Sequence, residues 1–302
     1  MPGNLDSQPT SKVSPLLVFS ILGAISLGIW LDPLKSTFAL ALRDDQYTHI
    51  LLIIPISAAL ILLDWKPPEF SDRSRKKMGA GWLCVAVVIA ATLKWKSNFL
   101  PTDVQLSLNM LAFVVWWLGA FIFCFGTRAF WHALFPLCFL LWLVPLPEFA
   151  VNRIVELLQR GSSVAAHIIF AAAGVPVTQR GLLLDIPGLT LEVAPECSSI
   201  RSSLILLVTS MVLSQLFLRS NWRKALVFAA AILLSVAKNG LRIFAIGFLG
   251  TRVNPAYLTG RLHRQGGIIF FLFALALILL LLWIFRRDEK KTPRNQAKGT
   301  SW

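Results

Sequence analysis

The sequence of 302 residues has only four cysteines, and no two of them form the C-x-x-C spacing that is typical of thiolate metal sites. We therefore expect no metal site, and no cofactor is predicted. Acidic residues are also scarce, with 15 aspartates and glutamates against 29 lysines and arginines and a formal net charge of +14. No basic helix is interleaved with aromatic residues, so nucleic-acid binding is not expected despite this charge.

Hydrophobic residues are abundant. They make up 56% of the chain, and the mean hydropathy is +0.68, whereas a soluble domain averages about 45–50% apolar residues. Several apolar runs reach about 17–25 residues, enough to cross a hydrocarbon core. The sequence therefore predicts an all-α polytopic membrane protein with about eight transmembrane helices, at 15–32, 47–63, 79–95, 104–124, 129–146, 199–218, 225–249 and 266–285.

These spans predict one membrane domain, residues 15–285, between an N-terminal tail at 1–14 and a basic C-terminal tail at 286–302. Lysines and arginines concentrate in loop 64–78, in the turn after the sixth span and in the C-terminal tail. The positive-inside rule assigns all three to the cytoplasm, which places both termini there. Residues 146–198 are then expected on the outer face.

The outer segment contains two local patterns. Residues Val151 to Arg160 place apolar side chains on one side and polar ones on the other, which predicts an amphipathic helix lying in the membrane interface. Further on, Leu189 to Val193 alternates apolar and polar residues after Pro187-Gly188, which predicts a short β-hairpin. This hairpin would lead directly to Cys197.

Three of the cysteines, Cys84, Cys124 and Cys138, fall inside apolar spans and are expected to be small buried hydrophobic residues. Cys197 differs because it opens the sixth span at the predicted outer surface. Unpaired backbone N–H groups and the helix dipole stabilise a thiolate at such a position. Arg201, four residues later, would share its face if the helix has begun by Cys197.

Two later elements bring further ionisable groups to the same predicted face. The seventh span carries Asn239 and Arg242 on one helix face, and the loop before the last span carries His263. Thiol chemistry on a carbonyl requires a nucleophile, a proton carrier and a group that stabilises the oxyanion. Cysteine, histidine and a permanently charged arginine supply these three functions. No carboxylate is equally well placed to orient the histidine, so a Cys-His-Asp protease is less favoured.

The chain resembles the exosortase/archaeosortase family of polytopic membrane cysteine transpeptidases. The resemblance is carried by "APECSSIR" opening one span, "NGLR" in the next, and the outer-loop histidine before the last. It extends to "YTHILLIIPISAALILLDW", similar to the family's early Tyr-Ser-His span, and covers about residues 15–285. One departure is Ser199, which stands where the family commonly has glycine.

The resemblance implies that Cys197 is the nucleophile, Arg242 the oxyanion group and His263 the proton carrier. Arg201 and Asn239, the latter in the family's Asn-x-x-Arg motif, would support them. The expected partners are the lipid bilayer and exported proteins that end in a short motif such as Pro-Glu-Pro, a membrane helix and a basic cluster. The enzyme would cleave this signal at the outer surface of a prokaryotic inner membrane, and the outcome would be either hydrolysis or transfer of the protein to a cell-surface acceptor.

Two other functions are compatible with a membrane protein of this composition. In a non-enzymatic component of polysaccharide export or transport, Arg242 and Lys238 would bind an anionic substrate, and Cys197 would tolerate replacement. A transporter is expected to contain inverted repeats, and the sequence shows none. In a purely structural anchor, Cys197, Arg242 and His263 would all tolerate substitution.

Overall fold

The computed structural model describes residues 14–63, 73–96, 98–194, 200–254 and 267–296, except for the side chains of 73–75 and 291–296. Over these residues the chain forms nine α-helices, two short 3-10 helices and one three-stranded antiparallel sheet. Seven helices are long and apolar enough to cross a membrane, and an eighth span results if one sharply bent helix pair counts as a single crossing. The prediction of an all-α polytopic membrane protein is confirmed.

The chain divides into two units. The first consists of Met1–Arg43 and Ile50–Pro147, and the second of Asp44–His49 and Glu148–Trp302, each within its described residues. The single membrane domain at 15–285 stays a prediction.

The first unit contains five helices in its described residues. In α1, the backbone departs from helical geometry at Trp30, three residues before Pro33, and the helix then continues well past the predicted end at residue 32. Trp30 packs against the aromatic rings of Phe113 and Trp116 in α4. The helices are α1 (Pro15–Arg43), α2 (Ile50–Leu63), α3 (Arg73–Trp95), α4 (Thr102–His132) and α5 (Leu134–Phe139), followed by a 3-10 helix at Leu140–Leu143.

The predicted fifth span at 129–146 is wrong, because the structure does not form one helix there. The region contains the end of α4, the six residues of α5 and a 3-10 helix. The backbone has already turned at Gly126, whose φ of 85° is accessible to glycine at little cost. Ser57 donates to the Pro136 carbonyl (2.5 Å), and Ser107 donates to the Pro145 carbonyl (2.7 Å). These bonds satisfy carbonyl groups that a continuous helix would have paired internally.

The spans also expose residues that were expected to be buried. Cys84 in α3 and Cys138 in α5 are exposed, whereas Cys124 in α4 is partly buried. The expectation of buried cysteines is therefore wrong for the first two. An apolar residue on the outside of a membrane helix is covered by lipid rather than by protein, so hydropathy alone does not distinguish the two environments.

Helices α3 and α4 approach each other closely at Gly79. A Cβ atom at this position would lie 2.6 Å from the backbone of Phe123, whereas one at Gly81 would meet nothing within 4 Å. We expect Gly79→Ala to lower the free energy of unfolding by about 1–3 kcal/mol through this overlap. Gly81→Ala, the matched control, should raise it by up to about 1 kcal/mol through helix propensity. SDS-induced unfolding in mixed micelles measures both, and equal unfolding midpoints would contradict the close approach.

The second unit contains the remaining described elements. They are a 3-10 helix (Asp45–Tyr47), α6 (Glu148–Ala172), β1 (Thr178–Arg180), β2 (Leu183–Ile186), β3 (Leu189–Glu192), α7 (Ile200–Phe217), α8 (Asn221–Arg252) and α9 (Gly267–Gln296). The helix predicted at Val151 to Arg160 is confirmed as part of the longer α6, and its position in the membrane interface stays a prediction.

The predicted β-hairpin is also confirmed. Strands β2 and β3 pair antiparallel around Pro187 and Gly188, with Leu184 opposite Leu191. Sequence reasoning missed β1, which pairs with the other edge of β2. Three residues offer too short an alternation to be recognised, and β1 depends on contacts with α6 through the hydrogen bond from Gln179 to Ser163 (3.0 Å).

Helices α7, α8 and α9 share an apolar core that includes Leu206, Val227 and Ile278. The turn between α7 and α8 is fixed by Glu289, whose carboxylate accepts hydrogen bonds from the backbone N–H groups of Arg219 and Ser220 (both 3.0 Å). Helix α9 continues to Gln296, well beyond residue 286, where the C-terminal tail was expected to begin.

Candidate functional site

Helix α8 carries three of the candidate residues, and it is longer than a membrane is thick. Its 32 residues extend over about 48 Å at 1.5 Å per residue, against a hydrocarbon core of about 30 Å. Its C-terminal half packs on the sheet, where Phe244 and Phe248 contact the cluster of Phe170, Val175 and Ile186. An open strand edge cannot satisfy its backbone groups in hydrocarbon, so the sheet lies at or beyond the boundary of the hydrocarbon core.

Lys238 lies near the middle of α8. Its side chain is only 4% exposed, and its Nζ donates to Ser202 Oγ over 2.5 Å. Ser202 lies in the first turn of α7, and the 18 residues of that helix extend over about 27 Å, which matches one membrane crossing. Lys238 is therefore level with the first described turn of α7.

Asn239 faces a different neighbour. It is 1% exposed, and its Nδ2 donates to Ser162 Oγ of α6 over 2.9 Å. At the adjacent Gly240, a Cβ atom would lie 2.6 Å from the Cβ of Ala165, so α6 and α8 are in close backbone contact here. Small residues permit such contacts between membrane helices, and buried polar groups bond across them. Asn239 thus fixes α8 against α6.

Arg242 lies one turn further along α8 than Lys238, and its side chain is partly buried. Residues three and four apart share a helix face, so Arg242 is next to both Asn239 and Lys238. It lies on α8 between Lys238 and the part of the helix that packs on the sheet. Lys238 and Arg242 are thus two cationic side chains about one helical turn apart. The sequence identified both of them, but it gave no reason for the lysine.

Arg201, in the first turn of α7, has a partner that sequence reasoning missed. Its Nη1 lies 2.6 Å from Asp45 Oδ2, across 156 positions of sequence. Asp45 begins a 3-10 helix whose preceding residue, Asp44, accepts a hydrogen bond from the Gln46 N–H (3.0 Å). Both charges are largely exposed, at 50% and 75%, so the pair contributes little to stability.

Cys197 and His263 lie outside the described residues, as does Ser199. The described residues on both sides of the Cys197 segment are nevertheless held in place. On one side, Val193 donates its N–H to the Leu182 carbonyl (3.0 Å), and its own carbonyl accepts from Gln159 Nε2 (2.8 Å). On the other side, Arg201 and Ser202 bond as described above.

Gln159 is a further residue that sequence reasoning missed as part of the site. It is buried in α6, and its amide ties that helix to the end of β3, 34 positions away. In the sequence it appears only as one polar residue on an amphipathic helix. Within the described residues, no three histidine, cysteine, aspartate or glutamate side chains gather as metal ligands.

The described spans form a multi-pass helical membrane protein in which Lys238, Asn239 and Arg242 lie together on α8, whose C-terminal half packs on the small sheet. The sequence profile of the transmembrane exosortase family matches residues 41–280, which is most of the chain. The chain belongs to the transmembrane exosortase family. Family membership implies a membrane transpeptidase of the cysteine type that acts on exported proteins with C-terminal signals. No curated protein and no solved structure matches the chain.

Proposed function

We propose that this protein is a membrane-embedded cysteine transpeptidase or protease that cleaves a C-terminal sorting signal at the outer surface of a prokaryotic inner membrane. The nucleophile is Cys197, the oxyanion is stabilised by Arg242, and the proton carrier is His263. Arg201 and Asn239 support these groups. Both termini are cytoplasmic, as the distribution of basic residues in the loops indicates.

The bond between Ser202 and Lys238 is the observation that carries this proposal. It sets the first turn of α7, which follows Cys197 by only a few residues, beside the turn of α8 that precedes Arg242. The nucleophile's segment and the oxyanion group are therefore attached to neighbouring turns of two packed helices. A sorting signal that ends in its own membrane helix would emerge from the bilayer at this level.

In the first half of the reaction, the Cys197 thiolate attacks the scissile carbonyl and forms a tetrahedral oxyanion, which the Arg242 guanidinium stabilises. The C–N bond then breaks, and the imidazolium of His263 gives its proton to the leaving amine. A thioester between Cys197 and the exported protein remains.

In the second half, His263 removes a proton from the acceptor, which is a surface amine or water. The acceptor attacks the thioester carbonyl and releases the Cys197 thiolate. With an amine the exported protein is transferred to the acceptor, and with water it is hydrolysed. Arg242 stabilises the oxyanion of this step as well, since the same carbonyl carbon reacts.

Hydroxylamine tests the thioester directly. The full chain in lipid nanodiscs would receive a tagged substrate that ends in Pro-Glu-Pro, one apolar helix and a basic cluster. We expect hydroxylamine to intercept the thioester, so that mass spectrometry finds a C-terminal hydroxamate on the released protein. Cys197→Ala should release no product, whereas the matched control Cys138→Ala should behave like the unaltered chain. Continued cleavage by Cys197→Ala would refute the mechanism.

A further inference from the structure

The hydrogen-bond pattern of the sheet determines which backbone groups of β3 face outward. The Val193 N–H bonds to the Leu182 carbonyl, and the register places Leu191 opposite Leu184 and Leu189 opposite Ile186. Hydrogen-bonded and non-bonded pairs alternate along an antiparallel ladder. The odd-numbered residues of β3 therefore bond to β2, while Thr190 and Glu192 direct their N–H and C=O groups away from the sheet.

This outer side of β3 is an open edge within the described part of the chain. No described strand pairs with it, and the Glu192 carbonyl accepts only the Ala194 N–H (3.1 Å). The Thr190 and Glu192 side chains are exposed. The strand itself is held firmly, because Leu191 packs against Gly247 of α8, where an added Cβ atom would lie 2.5 Å from Leu191 Cδ1.

We propose that the open edge of β3 binds the recognition motif of the substrate as an added, extended strand. The inference rests on the proposed function, since it assigns a subsite to the peptide that is to be cleaved. Strand addition obtains its affinity from main-chain hydrogen bonds, so it holds a peptide in register for chemistry nearby. The chain continues from β3 through Val193 and Ala194 into the segment that contains Cys197.

The arrangement of free groups favours one kind of peptide. A substrate residue opposite Thr190 in an antiparallel strand would donate its N–H to the Thr190 carbonyl and accept from the Thr190 N–H. The residues on either side of it direct their own backbone groups away from β3. Either neighbour can therefore be proline, which has no N–H, without loss of a bond to this edge. A Pro-x-Pro motif meets this requirement, and Pro-Glu-Pro is one example.

Two substitutions of Thr190 distinguish the contribution of its backbone N–H to peptide binding from that of its side chain. Thr190→Pro removes the outward N–H, whereas Thr190→Val keeps it. Both variants lose the hydrogen bond from Thr190 Oγ to Asp185 Oδ1 (2.8 Å), so their comparison isolates the backbone group. The ladder bonds of Leu189 and Leu191 involve other residues and remain possible in both.

The probe is a fluorescein-labelled peptide with Pro-Glu-Pro, one apolar helix and a basic end, titrated into nanodiscs that hold the Cys197→Ala chain. We expect Thr190→Pro to weaken binding at least tenfold, about 1.4 kcal/mol, and Thr190→Val to change it by less than about twofold. N-methylation of the glutamate amide in the peptide should weaken binding to the Thr190 chain about tenfold. The same methylation should weaken binding to the Thr190→Pro variant by less than tenfold, because that variant has already lost the hydrogen-bonded pairing at position 190.

Equal affinities of the Thr190→Pro and Thr190→Val chains would overturn the strand pairing, as would an N-methylated peptide that binds the Thr190 chain normally. The second result does not depend on how well the proline variant folds. In either case the proposed function would stand if the chain with Cys197 still cleaved the probe. A chain that neither binds nor cleaves the probe would overturn both.

Discussion

Replacing Arg242 by glutamine should lower the rate of substrate cleavage by about 10²–10³-fold, the cost of removing one donor from an oxyanion site. The loss should appear in kcat with KM little changed, because the oxyanion exists only in the transition state. Arg242→Lys should retain part of the rate. It keeps the positive charge but loses the planar fork that the guanidinium presents.

Arg252 provides a matched control, since it lies on the same helix but is exposed near its C-terminal end. Arg252→Gln should leave both kinetic constants within about twofold of the unaltered chain, as is usual for surface substitutions. The measurement is a time course of processing in nanodiscs at several substrate concentrations. If Arg242→Gln and Arg252→Gln gave the same rates, Arg242 would have no part in the chemistry.

The class of the protein was predictable because hydropathy is a local property. A run of about 20 apolar residues identifies a span wherever it occurs, and seven of the predicted spans correspond to helices of the structure. The hairpin was predictable for a similar reason, since alternation over Leu189 to Val193 and the turn residues Pro187-Gly188 lie together in the sequence.

The fifth span could not be predicted in this way, because its composition is that of a span. The contacts that replace a continuous helix are tertiary, because serines of α2 and α4 bond the carbonyl groups of Pro136 and Pro145. The prolines did not indicate the interruption, since Pro136 lies inside α5 just as Pro33 and Pro55 lie inside α1 and α2. Hydropathy does not indicate where a helix of this composition is interrupted.

In the candidate site, too, local sequence patterns were predictable and tertiary contacts were not. Motif spacing singled out Arg201, Asn239 and Arg242, but none of the partners that hold the first two. Asp45 is 156 positions from Arg201, and Ser162 is 77 positions from Asn239. Aspartate and serine are common, so only the fold identifies these two as partners. That Lys238 is level with the start of α7 is likewise known only from the contacts of α8 in the structure.

Ser202→Ala should destabilise the protein more than Lys238→Met, although it removes far fewer atoms. In the part of the chain that the structure describes, Ser202 Oγ is the one hydrogen-bond acceptor of the Lys238 ammonium, which is 4% exposed. Loss of the hydroxyl would leave that charge buried without this acceptor and cost about 3 kcal/mol in the free energy of unfolding. Methionine removes the charge together with its need for an acceptor, so Lys238→Met should cost only about 1 kcal/mol.

The variant that combines Ser202→Ala with Lys238→Met tests whether the stranded ammonium causes this cost. If the cost of Ser202→Ala arises from the stranded ammonium, the same substitution should cost less than about 1 kcal/mol once Lys238 is methionine, and the two changes will not add. Ser210→Ala is the matched control, because Ser210 lies in the same helix but donates to the Leu207 carbonyl of that helix (2.8 Å). Its cost should be small and equal in both backgrounds. SDS-induced unfolding in mixed micelles measures all the variants. A cost of Ser202→Ala that is the same with lysine and with methionine at 238 would show that this contact does not join α7 to α8, and the observation that carries the proposed function would be lost with it.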